Sequence, residues 1–147
     1  MIERRRDVIP ACHASQVGPP SVLLLASEPK SARAAREFVR EYIEYHLPGV
    51  TSEHLGSAVL IASELVTNSI RYGTEPDDLV RVVLDVDNTR TRVEVHDPVR
   101  RHPRLRTESG ARDRGRGLII VDALCPGRWG VTDRPFGKFV WAEVAAS

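Results

Sequence analysis

Apolar residues recur at two spacings along the chain, and these spacings separate helices from strands. Intervals of three and four residues are typical of one face of a helix, whereas alternation predicts a half-buried strand. Glycine, proline and short polar runs mark the ends of the segments. The predicted order is a strand at 21–27, helices at 29–47 and 53–71, strands at 79–87 and 92–96, a helix at 117–124, and strands at 129–132 and 138–144.

This order of elements predicts an α+β fold, a two-layer sandwich in which helices cover one face of a mixed, mostly antiparallel sheet. A length of 147 residues suits one domain with its own core. Residues 1–19 mix arginine, proline, glycine and serine, so we expect a flexible N-terminal arm followed by one domain at 20–147. Residues 98–114 are polar and aperiodic, and a loop of that length is usually functional or disordered.

Composition excludes several classes of protein. With 41% hydrophobic and 28% charged residues, the chain is typical of a soluble globular protein. A net charge of +1 disfavours a dominant nucleic-acid-binding surface. Cys12 and Cys125 have neither disulfide-framework nor zinc-site spacing, and no early apolar run suits a signal peptide or membrane span. We therefore expect a cytoplasmic protein that binds neither membrane nor nucleic acid directly.

The most informative polar residues are Glu64 and Asn68, four positions apart on the second predicted helix, and Asp97 at the end of a predicted strand. Glu64 and Asn68 project from one helix face, where a carboxylate can accept a proton and an amide oxygen can bind Mg²⁺. Asp97 can accept a hydrogen bond from an exocyclic amine such as that of adenine. Taken singly, the pair is more often a solvated helix surface, and an Asp before proline is as often a turn.

The run Arg114-Gly115-Arg116-Gly117-Leu118 leads straight into the third predicted helix. Glycines let the backbone approach phosphates closely, and the start of a helix supplies free N–H donors. Because glycine also simply ends loops, this run alone is weak evidence for a phosphate site.

In this order, the motifs resemble the GHKL ATPases, the superfamily that includes the catalytic domains of histidine kinases. In detail the chain is similar to the small anti-sigma-factor serine kinases of the SpoIIAB and RsbW type, in the form abundant in actinomycetes. The resemblance covers about residues 20–145. The runs that match this subgroup are Ser63-Glu64-Leu65-Val66-Thr67-Asn68, Gly115-Arg116-Gly117-Leu118, Val121-Asp122-Ala123-Leu124, Arg128-Trp129-Gly130-Val131 and Gly137-Lys138-Phe139-Val140-Trp141.

The resemblance implies that the chain binds ATP with Mg²⁺ and transfers a phosphoryl group. Glu64 would be the base that orients or deprotonates the attacking hydroxyl, and Asn68 would coordinate the Mg²⁺ that bridges the phosphates. Asp97 would read the adenine amine directly and through water. Residues 98–114 would form a mobile lid.

The resemblance also assigns the phosphates to the glycine run. Gly115 and Gly117 would wrap them, and arginines would stabilise the charge on the transferred group. The implied phosphate-site residues are Arg114, Gly115, Arg116, Gly117 and Leu118, with Arg112 as a further candidate arginine.

The implied activity is that of a serine/threonine protein kinase acting on a small anti-anti-sigma (STAS-type) protein, while a sigma factor competes for the same kinase. Such kinases are commonly homodimers. Two positions depart from the family pattern. Val99 stands where Gly or Ser is usual, and Phe139 stands where a Thr hydroxyl helps to hold the water of the adenine site. If Phe139 faces the pocket, it removes that hydrogen bond and fills the base site, so a non-catalytic interaction module with weak or no ATP binding is the alternative.

Overall fold

The computed structural model describes residues 18–99 and 112–146. The elements follow the predicted order, and most bounds agree within a few residues. The structure contains β1 (Val22–Ala26), α1 (Ser31–His46), α2 (Ser52–Tyr72), β2 (Leu79–Val86), β3 (Arg90–Asp97), α3 (Arg112–Leu124), β4 (Trp129–Arg134) and β5 (Gly137–Ala145). The largest difference is the start of α3, which lies at Arg112 and not at Gly117. The predicted arm and most of the predicted lid lie outside the described residues.

The strands of the described residues form one sheet in the order β1-β2-β3-β5-β4. Every neighbouring pair is antiparallel, so the parallel part of the expected mixed sheet is absent from the described strands. Two hairpins, β2–β3 and β4–β5, build most of it. In the first turn, Asp87 Oδ1 accepts hydrogen bonds from the backbone N–H groups of Thr89 and Arg90 at 2.7 and 3.0 Å.

Helices α1 and α2 pack on each other and on one face of the sheet, and α3 packs against α2. Because side chains alternate along a strand, Val93, Val95 and Asp97 point to the helix-covered face of β3. The core is apolar and lies between the two layers, as the two-layer prediction requires. The fully buried apolar residues of the helices include Ala35, Val39, Ile43, Ala58, Ile61, Ala62 and Val66.

The ends of three elements meet at Asp97. Helix α2 begins at its Thr51 cap, whose hydroxyl accepts from the N–H of His54 at 3.1 Å, and ends at Gly73, whose N–H donates to Ser69 O at 2.7 Å. A Cβ at Gly73 would lie 2.5 Å from Asp97 Oδ2. The absence of a side chain at Gly73 therefore lets the end of α2 approach the end of β3.

The first residue of β5, Gly137, is likewise a glycine with no room for a side chain. Gly137 has a φ of +144°, a conformation that residues with a side chain rarely adopt, and a Cβ at this position would collide with the carbonyl oxygen of Asp97. Among the described residues, no helix is both long and apolar enough to cross a bilayer.

Candidate functional site

The carboxylate of Asp97 is the centre of a buried polar cluster. Asp97 is 3% exposed, and its register partner on β5 is Lys138. Lys138 Nζ donates to Oδ1 at 2.8 Å and to Oδ2 at 3.0 Å. Ser69 Oγ donates to Oδ2 at 2.5 Å, and the backbone N–H of Val99 donates to Oδ1 at 3.0 Å. One side chain therefore joins α2, β3 and β5.

Lys138 is as deeply buried as its partner, at 3% exposure. It points inward because Val140, Ala142 and Val144, at alternate positions of β5, fill the core. Its third hydrogen bond goes to the carbonyl of Val99 at 2.8 Å. An ammonium has three N–H donors and no acceptor, so every donor of Lys138 is used. Full hydrogen bonding is what makes the burial of two charges tolerable.

Glu64 and Asn68 lie half-buried on α2, one helical turn apart and on the same face. Ser69, the residue after Asn68, is the α2 contact of Asp97, so the helix links this pair to the buried cluster. Within the described residues, neither side chain makes a hydrogen bond. Burial raises the pKa of Glu64, and the positive charge of Arg71 partly opposes that rise. A carboxylate with a raised pKa accepts a proton more readily, as a general base requires.

The glycine run lies in the first half of α3. The N–H groups without partners inside a helix are those of the capping residue and of the first three helical residues, which in α3 are residues 112–114. Gly115 and Gly117 both lie beyond this group, so α3 itself engages their N–H groups. The side chain of Leu118 is 1% exposed and packs inside the protein. The side chains of residues 112–117 are outside the described part, so the phosphate roles of Arg112, Arg114 and Arg116 stay predictions.

Residues 25–126 match the family model of the histidine kinase-like ATPase domain. The matched region runs from β1 into the residues after α3 and includes Glu64, Asn68, Asp97 and the glycine run. The chain belongs to the histidine kinase-like ATPase domain family. The expected GHKL superfamily and α+β fold are therefore confirmed. Lys138 lies outside the matched region.

No curated protein matches the chain. Among solved structures, it is similar to the histidine kinase domain of the blue-light-activated histidine kinase EL346 from Erythrobacter litoralis, with 15% identity and a TM-score of 0.49. The match covers 93% of this chain and 68% of that one. Similarity at this level is compatible with many functions and bears on neither the substrate nor the partner of this chain.

The two ends of the site fit Mg·ATP, the ligand of histidine kinase-like ATPase domains, to different degrees. Magnesium is usually held by few protein oxygens together with water and phosphate oxygens, so the single amide oxygen of Asn68 fits it. The carboxylate of Glu64 accepts no hydrogen bond from the other described residues, although the charge of Arg71 acts on it. Asp97, in contrast, is already bonded to Lys138, Ser69 and Val99.

Phe139 does not face Asp97, so the condition under which its ring would fill the adenine site is not met. It lies on the opposite face of the sheet, where it stacks on His96 with ring centroids 4.6 Å apart and an interplanar angle of 21°. Val99 contributes its main chain to the cluster, through both its N–H and its carbonyl. The residue of β5 that faces Asp97 is Lys138, to which the sequence motifs gave no role. Alternation could have found it, because the charged Glu143 fixes which positions of β5 point outward.

Proposed function

We propose that this histidine kinase-like ATPase domain is an ATP-dependent serine/threonine protein kinase and anti-sigma factor. Its substrate would be a serine of a STAS-type anti-anti-sigma protein, and a sigma factor would compete for the same kinase. The observation that carries the proposal is the placement of Glu64 and Asn68, half-buried on one face of α2 and joined to Asp97 through Ser69. The proposed proton acceptor, the proposed metal ligand and the carboxylate proposed to bind adenine are thus connected through the C-terminal half of α2.

The proposed reaction requires a base and a positioned metal. Bound Mg·ATP would supply the phosphoryl group. Glu64 accepts the proton of the partner's serine hydroxyl while the hydroxyl oxygen bonds to the γ-phosphorus, and the bond from that phosphorus to the bridging oxygen breaks to release ADP. Asn68 would hold the Mg²⁺ against the phosphates. The raised pKa of Glu64 supports its assignment as the base.

Mutation of the base separates binding from transfer. Glu64→Gln keeps the size of the side chain but cannot accept a proton, so we expect Mg·ATP affinity within about twofold of wild type and phosphoryl transfer lowered by about 10²-fold or more. Binding is measured by calorimetric titration with Mg·ATP, and transfer by labelled ATP with candidate STAS-type proteins. Glu53→Gln is the matched control, because Glu53 is exposed in the first turn of the same helix. No heat and no thermal shift with millimolar Mg·ATP in the wild type would contradict the kinase proposal.

One observation favours a second candidate function, a non-catalytic interaction module with weak ATP binding. Lys138 occupies both oxygens of the carboxylate that would read adenine. For such a module we expect capture of the sigma factor or STAS-type partner to be the same with and without Mg·ATP, and no labelled phosphate on either protein. The kinase proposal requires label on the STAS-type partner.

A further inference from the structure

The carboxylate of Asp97 has no acceptor position left for a nucleotide base. An ionised carboxylate accepts about four hydrogen bonds. Lys138 supplies two of them, and Ser69 and the main chain at Val99 supply one each. An exocyclic amine that approached Asp97 would therefore have to replace a donor that is already there.

The three groups that donate to Asp97 differ in how easily they can move away from its carboxylate. The N–H of Val99 belongs to the main chain two residues beyond Asp97, and Ser69 is fixed in the last turn of α2. Lys138 alone reaches the carboxylate through a flexible four-carbon stem, so its ammonium can move by rotation about side-chain bonds. Removing it breaks two charge-assisted hydrogen bonds, which are among the strong ones in proteins.

We propose that Lys138 competes with the exocyclic amine of the nucleotide for Asp97, and thereby sets both the affinity and the base selectivity of the site. This inference rests on the proposed ATP site. Binding of an adenine nucleotide would displace the ammonium from Asp97, and the amine would take its place on the carboxylate. Because the gain from the amine is offset by the loss of the Lys138 contacts, the wild type discriminates poorly between bases with and without that amine.

Replacement of the competitor tests the inference. Lys138→Met keeps a long stem but removes all three donors, so we expect Mg·ATP to bind about tenfold more tightly or better. Inosine triphosphate has a carbonyl in place of the amine and should not gain, so the ratio of its dissociation constant to that of ATP should rise by about tenfold as well. Both constants are measured by calorimetric titration of the full chain.

The chain provides a matched control. Lys30 and Lys138 are its two lysines, and the Lys30 side chain is 82% exposed. Lys30→Met removes the same charge from the protein without touching Asp97, so we expect both dissociation constants to stay at their wild-type values. A gain in both lysine variants would assign the effect to net charge and overturn the inference.

A measurement on the unaltered protein covers the case in which Lys138→Met does not fold. In protein labelled with ¹⁵N-lysine, the ammonium protons of Lys138 should exchange slowly with water, since they are buried and bonded, while those of Lys30 exchange fast. Saturating Mg·ATP should accelerate exchange at Lys138 by about tenfold or more, with Lys30 unchanged. Slow exchange at Lys138 with ATP bound would overturn the inference.

The outcomes separate this inference from the proposed function. If the wild type and folded Lys138→Met bind Mg·ATP equally, with the same preference over inosine triphosphate, the competition is absent while the ATP site stands. If neither protein takes up Mg·ATP, the proposed function fails and the inference fails with it.

Discussion

At one end of the candidate site Glu64 and Asn68 stand half-buried on α2, whereas at the other end Asp97 and Lys138 are 3% exposed and bonded to each other. The difference follows from burial. A half-buried polar group is still partly hydrated and can keep its bonding capacity for a ligand, but a fully buried charge needs permanent partners. Glu64 and Asn68 can therefore engage a ligand without losing an internal hydrogen bond, while Asp97 must give up internal hydrogen bonds to do so.

Removal of the buried Asp97 carboxylate should have the largest effect, and it tests whether a buried charge needs its partner for the fold to be stable. Asp97→Ala leaves the ammonium of Lys138 buried without a counter-charge, so the free energy of unfolding should fall by about 3–5 kcal/mol. Guanidinium denaturation measures the loss. The exposed pair of Arg33 and Glu37, with side chains 79% and 65% exposed, is the control, and Glu37→Gln should change stability by less than about 1 kcal/mol.

A double variant shows whether the loss comes from an unpaired charge. Adding Lys138→Met to Asp97→Ala removes the stranded ammonium, so the two changes should be coupled and the double variant should recover about 1–3 kcal/mol. Additive losses would mean that Asp97 stabilises the fold through Ser69 and Val99, and the contrast between the two ends would then not depend on the ion pair.

The second prediction concerns the two faces of the sheet. Phe139→Thr restores the hydroxyl of the family pattern, yet it should leave Mg·ATP affinity within about twofold, because Phe139 faces away from Asp97. Stability should fall by about 1–2 kcal/mol through the lost stacking on His96. Phe136→Thr is the matched control, since Phe136 is 87% exposed and should contribute almost nothing. A tenfold gain in affinity for Phe139→Thr would place position 139 in the base site.

The sequence predicts the helices and strands well, but it does not predict that Lys138 is bonded to Asp97. The helix predicted at 53–71 agrees with α2, which runs from Ser52 to Tyr72 between the capping residues Thr51 and Gly73. Periodicity likewise predicts that Glu64 and Asn68 share a helix face. These features depend on residues within a few positions of each other, which local patterns capture.

Contacts between distant elements account for what the sequence left open. The carboxylate of Asp97 accepts hydrogen bonds from Ser69 on α2 and Lys138 on β5, and the position of Lys138 depends on strand register. A shift of one residue in register exchanges Lys138 for Phe139 on the helix-covered face, so the sequence left open whether Phe139 faces the pocket. The alternation of charged Glu143 with the buried residues of β5 was the available signal.

The third prediction concerns the effect of Glu64 on the free energy of unfolding. Burial raises the pKa of Glu64, so the ionised carboxylate is less favourable in the folded than in the unfolded chain, and stability falls as pH rises through that pKa. Glu64→Gln should therefore raise the free energy of unfolding at pH 8 by less than about 1 kcal/mol, since the side chain is partly exposed. The gain should shrink toward pH 4 and disappear below it, as Glu64 becomes protonated in the unfolded chain as well.

Thermal unfolding of the two proteins between pH 4 and pH 8 measures this effect, with Glu53→Gln again as the control. If Glu64 is a general base that destabilises the fold, Glu64→Gln should be more stable at pH 8 and should lose phosphoryl transfer. If Glu64→Gln instead lowers stability at neutral pH, the attraction of Arg71 outweighs the cost of burying the ionised carboxylate, and the pKa of Glu64 is not raised.

The smallest expected effect concerns His96, on the face of the sheet opposite to Asp97. Nη2 of Arg81 lies 3.4 Å from Nδ1 and donates to it, so Nδ1 is an acceptor and Nε2–H donates to Glu94 Oε1 at 2.9 Å. Burial lowers the pKa of His96, the hydrogen bond to Glu94 opposes this, and the charge of Arg81 adds to it. The folded chain therefore holds fewer protons than the unfolded chain near pH 6, and stability should fall as pH drops below about 6.5. We expect His96→Gln to remove a pH-dependent contribution to the free energy of unfolding of about 0.5 kcal/mol between pH 8 and pH 5, measured by denaturation at each pH. If the change of stability with pH is the same in His96→Gln as in the wild type, the ionisation of His96 is independent of folding. The contrast between polar groups with and without internal hydrogen bonds would then be confined to the helix-covered face.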